Sequence, residues 1–233
     1  MTAFPAAAFG TNCYVIAPAA GEECLVVDPG IGVLDTLQQV LAQHRLRPAA
    51  VLLTHGHLDH VYSVTPVCRG AGPAVLPAVV HEDDRYRLGD PLAGMDPMLV
   101  RALEQQFGTS ADWTEPDEVR LIADGETLSY AGIDLSVQHA PGHTEGSVMF
   151  GISGVPDGIP EQLDRTLLTG DVLFAGAIGR TDLPGGSDAA MQRSLREVVL
   201  PLPDSTLLLP GHGPATTMDR ERRSNPYLQG LSR

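Results

Sequence analysis

Residues 54–60 read Thr-His-Gly-His-Leu-Asp-His, three imidazoles and one carboxylate directly behind the apolar run 51–53. No other segment constrains the chain as much. Ionisable groups gathered at the end of a buried strand cost several kcal/mol each unless something pairs with them. On one continuous helix, His55 and Asp59 would share a face while His57 pointed away. The segment is therefore expected to be a loop at a strand end, with Gly56 letting the backbone turn.

The same arrangement recurs further along. Ala140-Pro141-Gly142 precedes His143, Leu167-Leu168-Thr169-Gly170 precedes Asp171, and Leu207-Leu208-Leu209-Pro210-Gly211 precedes His212. Each ligand-type side chain stands one glycine beyond a strand-like stretch. Side chains just past strand ends on one edge of a layered α/β fold converge on a single cleft. His55, His57, Asp59, His60, His143, Asp171 and His212 are thus expected to meet, and seven ligands divide between two metal ions. Imidazole nitrogen and carboxylate oxygen suit Zn, with Fe or Mn as competitors. An aspartate can bridge two ions ~3.5–4 Å apart while a hydroxide fills the other bridging position. The chemistry this predicts is hydrolysis: a bound water with its pKa lowered to about 7 attacks a carbonyl polarised by the same ions. His44, His81 and His139 fall outside the pattern and read as ordinary packed or surface residues.

Around these motifs, 13–17 and 24–28 read as paired strands. A helix follows with Val33, Leu34, Leu37, Val40 and Leu41 at helical spacing, then a buried strand at 51–54. A short helix begins between Ser63 and Pro66, since proline is accepted in a first turn, and 74–79 return as a strand. Residues 82–118 are acidic and rich in Gly and Pro and read as a helical insertion, either a lid or an edge element. Its helix has Asp96 as N-cap, Pro97 at the first position, Leu99, Val100, Leu103 and Phe107 on one face, and Gly108 at its end. Strands are expected at 126–130, 133–138, 147–152, 166–169 and 206–209, with a helix over 188–199. Two batches of strands, each with helices, predict one α/β domain over 1–233: two packed sheets with helices outside.

Charge and composition exclude several functions. With 29 acidic against 15 basic residues, the net charge of -14 opposes a nucleic-acid face or an anionic membrane surface. Every basic residue is Arg, which removes Schiff-base amines, a pyridoxal-phosphate anchor and the phosphate lysine of Walker-type loops. Cys13, Cys24 and Cys68, without C-x-x-C spacing, read as reduced packing thiols. No basic residue precedes an apolar stretch in 1–10, and no run nears the ~18 apolar residues of a membrane span. A soluble cytoplasmic protein is expected.

The run H-x-H-x-D-H, followed by separate His, Asp and His, resembles the metallo-β-lactamase superfamily across 55–212. That resemblance implies an αββα sandwich of two mixed sheets, with His55, His57 and His143 on one metal, Asp59, His60 and His212 on the other, and Asp171 bridging. β-Lactamases of the common zinc type place Cys where Asp171 stands. RNA-processing members typically add an RNA-gripping arm or a second domain. Four stretches resemble glyoxalase II (hydroxyacylglutathione hydrolase) and its small bacterial relatives: Pro-Gly-His-Thr-Glu-Gly-Ser at 141–147, Thr-Gly-Asp-Val-Leu-Phe at 169–174, Gly-Arg-Thr-Asp-Leu-Pro-Gly-Gly at 179–186 and Glu-Arg-Arg-Ser-Asn-Pro-Tyr-Leu at 221–228.

This second resemblance implies hydrolysis of a small-molecule thioester by a hydroxide bridging two metals. A thiol leaving group with a reference pKa of about 8.5 needs little acid assistance. Asp59 would orient that hydroxide or take its proton. Arg180 stands where the family has a basic substrate contact, and its guanidinium would grip a substrate carboxylate, the alternative being a surface pair with Asp182. Asp182 occupies the family's aromatic substrate position, and His212 lies too near residue 233 for the helical C-terminal domain that holds glutathione in full-length glyoxalase II. A thiol other than glutathione is therefore expected. Asp28, ahead of Pro29-Gly30, either orients a ligand histidine from behind or simply forms the turn. Persulfide dioxygenases of the same fold are the rival, with a single Fe(II) on His55, His143 and Asp171. The 183–186 run and the Asn-Pro-Tyr-Leu tail favour the hydrolases, with a lactonase or other metallo-hydrolase behind them.

Overall fold

Alternation of buried side chains along the strands sorts the chain into three apolar layers, and the layers define the architecture. The computed structural model describes residues 1–70, 75–92, 97–107, 114–159 and 162–231, without the side chains of 99, 103, 104 and 107. In chain order its first half comprises β1 (Thr2–Pro5), β2 (Asn12–Ile16), β3 (Glu23–Val27), α1 (Leu34–His44), β4 (Arg47–Leu52), α2 (Leu58–Val61), α3 (Val64–Gly70), β5 (Ala78–His81), α4 (Pro97–Phe107) and β6 (Val119–Ile122). The second half comprises β7 (Thr127–Tyr130), β8 (Ile133–His139), β9 (Val148–Ser153), β10 (Arg165–Gly170), β11 (Leu173–Phe174), β12 (Ala177–Ile178), α5 (Asp188–Ser194), β13 (Thr206–Pro210), β14 (Thr216–Thr217), α6 (Met218–Ser224) and α7 (Pro226–Gln229).

The strands make two six-stranded sheets, β1-β2-β3-β4-β5-β6 and β14-β13-β10-β9-β8-β7. Both are mixed. β1, β2 and β3 pair antiparallel, and β3 to β6 run parallel. In the second sheet only β10 and β13 are parallel. The period of two along each strand sends Tyr14, Ile16, Leu25, Val27 and Leu52 to one face, where they meet Leu135, Val137, Phe150 and Leu168 of the other sheet. The opposite face of the first sheet, with Cys13, Val15, Cys24, Val26 and Val51, packs on Leu37 of α1 and on Val64, Val67 and Cys68 of α3. That of the second, with Met149, Leu167 and Leu208, packs on Met191 and Leu195 and on Met218 of α6. Helix, sheet, sheet, helix is the result. All three cysteines are free and buried, and burial pushes the Cys24 and Cys68 thiols up to about 12.

The sequence-predicted strands and helices recur with shifted ends. The 74–79 strand becomes Ala78–His81, where Pro77, which has no N–H to offer the ladder, precedes the first residue. The 51–54 strand starts earlier, at Arg47. The helix over 188–199 is α5 continued by a π-helical turn, Leu195–Val199. Helix α4 is present, whereas its expected cap Asp96, its terminating Gly108 and the side chains of Leu99, Leu103 and Phe107 lie outside the described residues. The 54–60 segment departs from a pure loop: residues 58–61 form one helical turn, with His57 at ψ 146° before it. The His57 carbonyl accepts from the N–H groups of His60 (3.0 Å) and Val61 (3.2 Å), so Asp59 and His60 leave the turn side by side. Among the described residues, no helix is long and apolar enough to cross a membrane.

Candidate metal centre

Five of the seven side chains are delivered from strand ends on one edge of the sandwich, and Asp59 and His60 come from the helical turn α2 that follows β4. His55 and His57 follow β4, His143 lies in the β8–β9 connection, Asp171 follows β10 and His212 follows β13. The second sheet closes on the first through this edge. Val148 donates its N–H to the Thr54 carbonyl (2.9 Å) and Asn12 to that of Gly211 (2.7 Å), while within the second sheet Gly211 donates to the Gly170 carbonyl (2.8 Å). Gly211 is required by a close approach: a Cβ there would run into Asp171 Oδ1, with His60 Cε1 only 2.7 Å away.

The side chains meet as two triads. His55, His57 and His143 form one and Asp59, His60 and His212 the other, with the ligand atoms of each within 4.8 Å of one another; Asp171 groups with His55 and His60 between them. Its Oδ1 is 3.4 Å from His60 Nε2, and its Oδ2 is 3.5 Å from both His143 Nε2 and His212 Nε2. His57 Nδ1 and His143 Nε2 face each other at 2.8 Å. All seven sequence-predicted ligands are therefore together.

Hydrogen bonds behind the rings fix which nitrogen faces inward. The Arg180 carbonyl can only accept, so His143 Nδ1 donates to it (2.7 Å) and Nε2 keeps its lone pair. Asp28 Oδ2 accepts from His60 Nδ1 at 3.0 Å. The Thr54 hydroxyl donates to the same Asp28 oxygen (2.7 Å), which leaves its own oxygen to accept from His55 Nδ1 (3.1 Å). One buried carboxylate thus orients a histidine in each triad, the role sequence reasoning offered for Asp28 beside that of turn former. Asp28 also stands at φ 50°, so it makes the turn as well.

Burial and neighbouring charges separate the triads electrostatically. Burial, reinforced by the other imidazoles, drives His55 far below the ordinary histidine range, lowers His57 to about 3 and depresses His143. Burial also opposes charge on His60, yet Asp59, Asp171 and Asp28 outweigh it and raise the ring to about 10. His212 rises for the same reason, chiefly through Asp59. Desolvation works to raise Asp59, but His60, His212 and the Thr11 hydroxyl hold it well below the usual carboxylate range. Burial lifts Asp171.

The donor set fits divalent metal. His55 Nε2 and Asp171 Oδ1 are buried without a hydrogen-bond partner among the described residues, an expensive arrangement for polar atoms unless a cation receives their lone pairs. A further His-Asp grouping, His81, Asp83 and His139, does not fit. Its two rings stack at 4.0 Å and 14°, so their lone pairs run parallel instead of converging. His81 Nδ1 already accepts from the Asp83 N–H, and His139 Nε2 donates to the Glu145 carbonyl.

Arg180 reaches the centre through its backbone. Its guanidinium is exposed and held by Asp182, Nε to Oδ1 at 2.7 Å and the second nitrogen to Oδ2 at 2.8 Å. Sequence reasoning left three nearby groups unassigned. Thr11 donates to Asp59 Oδ2 at 2.8 Å. Asp84, fully buried, and Arg87 lie behind the His55 and His143 loops. Asp84 stands in a Glu-Asp-Asp run that carries the signature of a solvated surface, and nothing in the sequence separates it from its neighbours.

Comparison with known proteins agrees with this geometry. The family model described as the metallo-beta-lactamase superfamily matches residues 6–212. The chain belongs to that superfamily. It is 44% identical to an uncharacterized protein of Mycobacterium tuberculosis, over 100% of this chain and 99% of that protein. It is 34% identical to hydroxyacylglutathione hydrolase GloC of Haemophilus influenzae, over 98% and 97%. Among solved structures, the BLEG-1 B3 metallo-beta-lactamase superposes with a TM-score of 0.76 at 33% identity, covering 98% of this chain and 99% of that one. TTHA1623, crystallised in a di-iron-bound form, superposes with a TM-score of 0.74 at 32% identity, over 98% and 100%. Membership supports a metallo-hydrolase in general terms, and the His/Asp cluster supports divalent metals.

Proposed function

We propose that this chain is a dinuclear metallo-hydrolase that cleaves a thioester into a carboxylic acid and a thiol. The observation that carries the reading is the convergence of two triads on Asp171. His55, His57 and His143 would hold one ion, Asp59, His60 and His212 the other, and Asp171 would lie between them, with Zn preferred and Fe or Mn as competitors. When bound, such a pair lowers the pKa of water toward about 7 and polarises a carbonyl oxygen. The chain's own residues do the rest. Asp28 and the Arg180 carbonyl hold three rings in the tautomer that presents Nε2. Asp59 remains ionised and, as a hydrogen-bond acceptor, would orient the attacking water. A thiolate departs without a dedicated acid, its reference pKa being about 8.5. Arg180 would exchange Asp182 for a carboxylate of the substrate.

Likeness to GloC makes a glutathione thioester the first substrate to test, beside thioesters of other small thiols. Likeness to BLEG-1 makes a β-lactam the control. The decisive experiment pairs metal analysis of the purified protein with this panel, following thiol release and O₂ uptake. About two ions per chain and thiol release without O₂ uptake are expected. One Fe with O₂ consumption on glutathione persulfide would replace the hydrolase by the dioxygenase, and turnover of the β-lactam alone would replace the thioester.

A further inference from the structure

We infer that Asp84 is the positioning residue of the metal site formed by His55, His57 and His143, a buried clasp that holds the two loops carrying those rings in register. This rests on the metal-centre reading above. Asp84 is fully buried and belongs to the 3₁₀ turn Glu82–Leu88 that follows β5. Its Oδ2 accepts from the Gly56 N–H at 2.7 Å, between His55 and His57, and from the Thr144 hydroxyl at 2.7 Å, next to His143. Its Oδ1 accepts from the Gly146 N–H at 2.9 Å and from Arg87 Nε at 3.2 Å. Four donors from three segments therefore meet on one carboxylate, and two of those segments carry the whole first triad. Among the described residues, no hydrogen bond or ion pair joins it to Asp59, His60 or His212.

Two glycines of the ligand motifs exist for this contact. A Cβ on Gly56 would lie 2.7 Å from Arg87 Cβ and Cδ, and a Cβ on Gly146 would lie 2.6 Å from the Asp84 nitrogen. Arg87 extends the clasp outward, donating to Glu145 Oε2 (2.7 Å) and to the Pro184 carbonyl (2.9 Å). The loop whose residue 180 orients His143 is thereby tied to the same group. A metal bound by three rings on two loops depends on the spacing between those loops, and a carboxylate that bridges them sets it.

Asp84→Asn is the test, because an amide keeps the shape but must turn an NH₂ toward either the Gly56 or the Gly146 N–H. Zn(II) affinity is read by competition with a chromophoric chelator, and the site by the absorption spectrum of the Co(II)-substituted protein. The wild type should take two equivalents. Asp84→Asn should lose about 10- to 100-fold in affinity for one of them, and its one-equivalent Co(II) spectrum should match that of His57→Ala. Thr144→Val, which removes one donor and keeps the fold should Asp84→Asn fail to express, should weaken the same site about 2- to 10-fold. Two sites of wild-type affinity in both variants would overturn the clasp, as would equal weakening of both sites alongside a lowered melting temperature. A wild type that takes up no metal would overturn the metal centre itself, and this assignment with it.

Discussion

The two triads are built from similar residues and held in opposite ways. His55, His57 and His143 are neutral rings, and two of them are pinned from behind by groups that do not titrate near neutral pH, His55 by a threonine hydroxyl and His143 by a backbone carbonyl. In the second triad Asp59 is ionised and, with Asp171 and Asp28, holds a proton on His60, while His212 is shifted in the same direction. The first triad stands ready for a cation at neutral pH, whereas the second must release protons to receive one. A fold can thus place two similar His/Asp sets side by side and give them different proton affinities through burial and through the carboxylates set among the rings.

The largest effect is expected at the residue both triads share. Asp171→Ala should reduce thioester turnover about 1,000-fold or more and bring metal content below two ions per chain; unchanged metal content and rate would show the triads to be independent. Asp59→Asn strikes the second triad alone. A fall of about 100-fold in kcat with KM little changed is expected, with the affinity of the first site intact, and equal weakening of both sites would erase the distinction.

The pH response of the metal-free chain tests the electrostatic contrast. Unfolded histidines titrate near 6.5. Below that value His57 stays neutral in the folded chain down to about 3 while its unfolded counterpart is charged, so acid favours unfolding. Above it, His60 keeps its proton up to about 10 only in the folded chain, so alkali favours unfolding too. Melting temperature measured with a chelator present should peak near pH 6.5 and fall on both sides, and metal should abolish the alkaline decline. A single-sided profile would mean that one triad is misread. The smallest effect belongs to Thr11→Val, which removes the hydroxyl on Asp59 and should cost about 2- to 10-fold in turnover without altering the first site's metal affinity.

Most of the convergent His/Asp cluster was legible in the sequence because its physics is local. A strand, a glycine and an imidazole or carboxylate appear together four times, and a strand end is where such a group reaches a cleft. The split of 54–60 into an extended half and a helical turn was not legible, since the deciding bonds from His60 and Val61 to the His57 carbonyl have no mark in residue type. β1 and β6 also escaped notice. Each is a four-residue edge strand in which the period of two barely repeats, and β1 ends in Pro5. Asp84 was hidden for a different reason: its partners lie 28, 60 and 62 positions away, and only the closed sandwich brings them within reach.

Position 180 divides its labour between main chain and side chain. The carbonyl that steadies His143 belongs to every amino acid, whereas the guanidinium paired with Asp182 belongs to Arg alone. If the guanidinium selects substrate as proposed, exchange of the side chain would retune which molecules are admitted without disturbing the ring beneath, and relatives could diverge in diet while keeping one and the same engine.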